Sequence, residues 1–183
     1  MYALDIDTLF IEIPRTGMRS LERALRGVSR VSHVGHYTVQ RFLTDVKKSP
    51  SKYVALVRHP IDRLLSAVNF SCSNKENVDQ AFSKLLKDGY STEVIAPQCF
   101  EDLEYVYAPQ TAYLDANVDY KLHRFDDMDA FYTSCGINKT PPHENKSSKQ
   151  FDMDYLKTHP LFDDVMQVYQ ADVELYNKLT PQP

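Results

Sequence analysis

Two short apolar runs in this chain each pass a proline and turn into an amphipathic helix, and basic and hydroxyl side chains gather at both turns. The first run ends in Leu9-Phe10-Ile11-Glu12-Ile13 and continues as Pro14-Arg15-Thr16-Gly17-Met18-Arg19-Ser20. Leu21, Ala24, Leu25 and Val28 follow at helical spacing. The second run, Tyr53-Val54-Ala55-Leu56-Val57, leads into Arg58-His59-Pro60-Ile61-Asp62-Arg63-Leu64-Leu65-Ser66, with Leu64, Leu65 and Val68 on one helical face. Pro14 cannot donate to a strand ladder and marks a strand exit. Gly17 permits a tight turn, and Pro60 suits the first turn of a helix, where its missing N–H costs little. A strand that runs into a helix exposes unpartnered N–H groups and the positive end of the helix dipole. Proteins bind phosphate at such junctions, so two of them predict a ligand carrying two separate phosphate groups.

The rest of the chain fills in an α/β pattern. Leu4 to Ile13 reads as one strand, Val31 to Val34 as a short second, Tyr53 to Val57 as a buried third of the parallel-sheet type, and Tyr120 to Phe125 as a fourth. Tyr37 to Val46 reads as a helix, and Asp126 to Cys135 as a helix capped by an aspartate. The stretch from Asn74 to Leu114 is helical and irregular, with Phe82, Leu85 and Leu86 in one stripe. Thr140 to Gln150 is a polar loop, and Met153 to Leu179 is helical, broken at Pro160. Strands alternating with helices predict a mainly parallel sheet flanked by helices. At 183 residues, without repeat, linker or low-complexity tract, residues 1–183 read as a single domain.

Composition removes several function classes. A formal net charge of −4 argues against a general nucleic-acid binder, so an anion site must be a local concentration of cations. Cys72, Cys99 and Cys135 fit neither a zinc site nor a redox pair, and no carboxylate–histidine grouping has metal spacing. No apolar stretch approaches the roughly 18 residues that span a bilayer. The N-terminus, with Asp5 and Asp7, lacks the basic-then-apolar pattern of a signal peptide, so the expected location is cytoplasmic. A nucleotide-hydrolase loop, GxxxxGK[ST], does not fit, because no glycine precedes Gly17 and no Lys-Ser/Thr pair follows it in the loop.

The pair of junctions resembles the donor-binding motifs of sulfotransferases. Ile13-Pro14-Arg15-Thr16-Gly17 resembles their 5′-phosphosulfate loop, a strand followed by Pro-Lys-Thr-Gly or Pro-Lys-Ser-Gly. Val57 to Ser66 resembles their 3′-phosphate motif, an Arg-x-Pro-x-x-Arg run with a serine eight residues after the first arginine. The two occur in the family's order. Tyr120 to Phe131, Pro142-His143-Glu144-Asn145-Lys146-Ser147 and Val168-Tyr169-x-x-Asp172-x-x-Leu175-Tyr176 resemble later segments, so the likeness covers most of the chain. It is nearest to the carbohydrate type, including uronyl 2-O-sulfotransferases. The resemblance implies the P-loop-NTPase-like sulfotransferase fold. It also implies the donor 3′-phosphoadenosine 5′-phosphosulfate (PAPS), with the 3′,5′-bisphosphate (PAP) as product, no metal, and a hydroxyl acceptor, a carbohydrate. By position, Arg15, Thr16, Gly17, Met18, Arg19 and Ser20 would hold the 5′ end, Arg58 and Ser66 the 3′-phosphate, and Lys146 and Ser147 would close over the nucleotide.

Sulfuryl transfer needs a base for the acceptor's proton and fixed charge for the leaving phosphate. Histidine titrates near neutrality. His36, in Val31-Ser32-His33-Val34-Gly35-His36-Tyr37-Thr38, follows the second strand at the ligand-binding edge of an open α/β sheet. The segment resembles the histidine-containing stretch of the uronyl 2-O-sulfotransferases, where the second histidine is the base. His36 is the expected base and His33 the weaker candidate, whereas His59, His123, His143 and His159 read as structural. Arg15 departs from the family's lysine. A guanidinium stays charged and donates no proton, so Arg15 is expected to stabilise charge bidentately. The same substitution leaves a second reading, a catalytically weak or inactive nucleotide-binding module of the same fold. The acceptor is not legible. Tyr90, Tyr105, Tyr107 and Tyr113 are candidates to stack on sugars, with core positions the preferred reading.

Overall fold

The structure is a computed structural model and describes residues 1–93, 103–137 and 150–179. Five strands form one sheet: β1 (Tyr2–Ala3), β2 (Thr8–Ile11), β3 (Val31–Ser32), β4 (Lys52–Val57) and β5 (Tyr120–Arg124), in the spatial order β3-β1-β2-β4-β5. The pairs β2–β4 and β4–β5 are parallel, and β1 is antiparallel to both β2 and β3. The sheet is therefore mixed rather than mainly parallel. Yet β2, β3, β4 and β5 all point the same way, and β1 alone opposes them.

The strand expected over Leu4 to Ile13 starts later, because its first residues form a turn. Asp7 sits at φ 46° and accepts from the Ser51 N–H at 3.0 Å, while Asp5 accepts from the Arg30 N–H at 2.7 Å. Aspartates bonded to backbone favour turns over ladders, which folds Tyr2–Ala3 back as a separate strand.

Helices cover both faces. α1 (Met18–Leu25) and α2 (Val39–Val46) join β2 to β3 and β3 to β4. α1 packs Met18, Leu21 and Leu25 against Phe10, Val54 and Leu56 on one face, with Phe131 of α6 (Met128–Ser134). On the other face Val39 and Phe42 of α2 meet Leu9, Ile11, Ile13 and Ala55. This is the period-two alternation of a sheet buried on both sides. The N-cap is Thr38, whose hydroxyl accepts from the Arg41 N–H, so α2 begins two residues later than expected. α6 lacks the expected aspartate cap: Asp127 at the N-cap makes no side-chain cap bond, and Asp126 pairs with Arg124 at 2.6 Å.

A third apolar cluster lies among helices: α3 (Pro60–Ser71), α4 (Lys75–Asp88), α5 (Glu104–Tyr107), α7 (Met153–Lys157) and α8 (Phe162–Val168). α9 (Gln170–Lys178) completes the chain's described end and packs on a 3₁₀ turn at Gln110–Tyr113. Among the described residues no helix is long and apolar enough to cross a membrane.

Chain direction makes one crevice special. After β2 the chain leaves through α1 toward β3, on one side of β2; after β4 it proceeds to β5, on the other side. The carboxyl ends of β2 and β4 thus flank the point where the winding reverses, the place where open α/β sheets bind ligands. Both sequence junctions open there.

Candidate functional site

The first junction is a strained loop. Arg15 adopts φ 69°, a left-handed conformation that costs a residue with a Cβ about 1–2 kcal/mol. Such strain gathers at functional sites. Thr16 is fully buried and its hydroxyl donates to the Ile13 carbonyl at 2.8 Å, so this side chain closes the loop. Gly17, at φ 77°, is the N-cap of α1 and has no side chain to fill that role. A Cβ there would lie 2.7 Å from the Phe125 ring edge. The Ser20 and Leu21 N–H groups already donate to the Gly17 carbonyl. The N–H groups of Gly17, Met18 and Arg19 come before that first intrahelical pairing and are the dipole-end donors. The Met18 and Ser20 side chains are buried, while Arg19 is exposed.

The second junction interlocks with the first. Arg58 donates through Nη1 to the Arg15 carbonyl at 3.1 Å and lies 4.8 Å over the Phe125 ring. The Ser66 hydroxyl, expected beside a phosphate with Arg58, accepts from Arg15 Nε at 3.1 Å. The Arg15 guanidinium also stands 4.5 Å over Phe70, whose ring is half exposed. Two junctions read as separate phosphate sites therefore form one continuous cationic surface. Burial pushes the Arg15 pKa down, and the charges of Arg58, Arg19 and Arg63 push it further. An anion placed among these guanidinium groups would relieve that repulsion.

Three groups with no assigned role in the sequence reading hold the junctions in place. Arg63, fully buried, donates to Pro14 O at 3.1 Å, Val106 O at 3.2 Å and Ala108 O at 2.6 Å. It ties the first loop to α5. Gln110 clamps the Arg58 backbone from both sides: its side-chain amide accepts from Arg58 N and donates to Arg58 O, each at 2.8 Å. Asp172, fully buried on α9, accepts from Gln110 N at 2.7 Å and from Thr111 N and Oγ1 at 2.9 Å. Arg63 stood in view as the second arginine of its motif, and Asp172 in the closing segment. Gln110 carries no sequence signal, because its function is a long-range clamp.

His36 follows β3 through Gly35, which sits at φ 75°. Its Nδ1 contacts the Glu12 carbonyl at 2.5 Å. A carbonyl only accepts, so Nδ1 carries the proton and Nε2 keeps its lone pair when the ring is neutral. Burial lowers the His36 pKa, with the Glu12 hydrogen bond opposing it. The neutral ring with a free Nε2 is the form a general base requires. The Tyr105 ring lies 5.5 Å from the His36 ring, tilted by 32°. The half-exposed His33 stands by carboxylates, its Nδ1 at 3.4 Å from Glu12 and 3.8 Å from Glu22.

The other histidines have structural surroundings. His59 packs on Tyr176 at 5.2 Å, His123 on Phe131 at 5.0 Å, and His159 is bonded to Asp79 at 2.8 Å. Tyr107 and Tyr113 are buried, in keeping with core positions, and Tyr90 is exposed. Lys146, Ser147 and His143 lie outside the described residues. Among the described residues no group of three or more His, Cys, Asp or Glu side chains could hold a metal ion. No protein-family model, no curated protein and no solved structure matches this chain.

Proposed function

We propose that this chain is a sulfotransferase of the P-loop-like type that moves a sulfuryl group from PAPS to a hydroxyl, a carbohydrate hydroxyl being the preferred acceptor. One observation carries the reading: Arg15, Arg58 and Ser66 interlock with the α1 N-terminus in the crevice between β2 and β4. That crevice is the sheet's switch point, and the two motifs resemble the 5′ and 3′ motifs of sulfotransferases in that family's order along the chain.

In this reading the N–H groups of Gly17, Met18 and Arg19 and the Arg15 and Arg19 guanidinium groups face the 5′ end. Arg58 serves the 3′-phosphate, and Ser66, bonded to Arg15, joins the two. His36 Nε2 takes the proton of the acceptor hydroxyl. A bond forms from the acceptor oxygen to sulfur, and the bond from sulfur to the phosphate oxygen breaks with its electron pair going to phosphate. Arg15 stabilises that charge and keeps its own proton. Cytoplasmic residence, the absence of a metal requirement and the absence of a nucleic-acid or membrane partner belong to the same proposal.

A second reading has its own observation. Arg15, standing where a lysine would serve as proton donor, is engaged with Ser66 and Phe70, an arrangement that suits a binding module of weak or no turnover. Calorimetric titration of PAP against ATP, followed by turnover with labelled PAPS and a panel of sugar acceptors, separates the cases. PAP binding with transfer is the expected result. PAP binding without transfer favours the module, and preference for ATP overturns the sulfotransferase reading.

A further inference from the structure

Tyr105 stands beside the base candidate and within electrostatic reach of Arg15 and Arg19 of the cationic loop. Its ring is 5.5 Å from the His36 ring. Arg63 donates both to Pro14 O, next to Arg15 in the chain, and to Val106 O, next to Tyr105, so one guanidinium ties the two backbone segments together. The position is rigid for a second reason: the Tyr113 hydroxyl donates to the Tyr105 carbonyl at 2.8 Å. The Tyr105 side chain is only partly buried, unlike those of Tyr107 and Tyr113. It packs against the helical cluster and still keeps part of its side chain exposed.

We propose that the Tyr105 hydroxyl is a substrate-contacting group that donates a hydrogen bond to an oxygen of the sulfuryl group between His36 and Arg15. The inference rests on the sulfuryl-transfer reading and adds to it a neutral donor that the motifs do not contain. The chemistry suits the place. A sulfuryl group passing from a phosphate oxygen to an acceptor oxygen carries charge on its three outer oxygens, and a preorganised O–H stabilises that charge. Burial pushes the Tyr105 pKa up although Arg15 and Arg19 pull it down, so the phenol keeps its proton at neutral pH. The proton stays on Tyr105 throughout; only His36 accepts one.

The test compares two ligands that differ by the sulfuryl group alone. Tyr105→Phe keeps the ring beside His36 and removes only the hydroxyl. The wild-type chain and the variant are titrated with PAP and with PAPS by calorimetry. The expected result is a PAP dissociation constant unchanged within about twofold and a PAPS affinity reduced by about tenfold, the effect of one hydrogen bond to a charged group. Where transfer is measurable, kcat falls by about a hundredfold. PAPS affinity that is unchanged or raised overturns the proposal, and so does an equal loss for both ligands. If the wild-type chain binds neither ligand, the underlying reading falls and takes this inference with it. Melting of the variant at the wild-type temperature excludes a folding defect as the cause.

Discussion

At the scale of single residues, Gly17 and His36 each meet two demands at once. Gly17 supplies a left-handed turn and lets the loop approach Phe125, on which Arg58 lies. Alanine there adds left-handed strain and a 2.7 Å clash. We expect Gly17→Ala to lose about 2 kcal/mol or more in urea denaturation, with weakened PAP binding because Phe125 must shift beneath Arg58. His36 is neutral in the fold at a pH where an exposed histidine begins to charge, since burial lowers its pKa below 6.5. Two consequences share one sign. The rate should be flat through neutral pH and fall tenfold per unit below the folded-state pKa, as the base becomes protonated. The stability contributed by neutral His36 should be present above 6.5 and lost as pH falls through the lowered folded value. His36→Ala should remove the acid limb of the profile along with about 10²–10⁴ of the rate. A profile unchanged in the variant would exclude His36 as the base.

At the scale of elements, the second junction depends on a helix far along the chain. β4 delivers Arg58 and α3 begins at Pro60, but the Arg58 backbone is clamped by Gln110, and Asp172 of α9 holds Gln110. Replacing Asp172 by alanine strands the buried Gln110 N–H and the partly buried Thr111 N–H and hydroxyl. Expected is a loss of about 3 kcal/mol in denaturation midpoint analysis. Weaker PAP binding should accompany it, since Gln110 is released from its register with Arg58. Asparagine, which keeps one accepting oxygen, should lose roughly half as much. An Asp172→Ala variant of full stability would mean that water replaces the carboxylate there. The strand–loop–helix elements β2–α1 and β4–α3 were legible in the sequence because apolar run, proline and amphipathic spacing lie side by side. The hairpin return of β1 was not, because Asp5 and Asp7 act through backbone groups of residues 30 and 51, far from them in sequence.

At the scale of the whole molecule, what the chain by itself determined is local in origin. The period-two and helical periodicities, the prolines at strand exits and the glycine after Arg15 are interactions among near neighbours, and they set the element types and the two junctions. His36 follows β3, which, though paired to an antiparallel strand, runs in the same direction as β2 and β4, so all three carboxyl ends lie at one sheet edge. The tertiary structure alone decided how these parts meet. It put the reversal of winding between β2 and β4, turned Ser66 toward Arg15, and made one cationic surface of two. It also brought Tyr105 beside His36 and put Gln110 on the Arg58 backbone. Contacts across such separations arise when apolar faces from distant segments are buried together, and buried polar groups must then find partners among whatever the packing brings near.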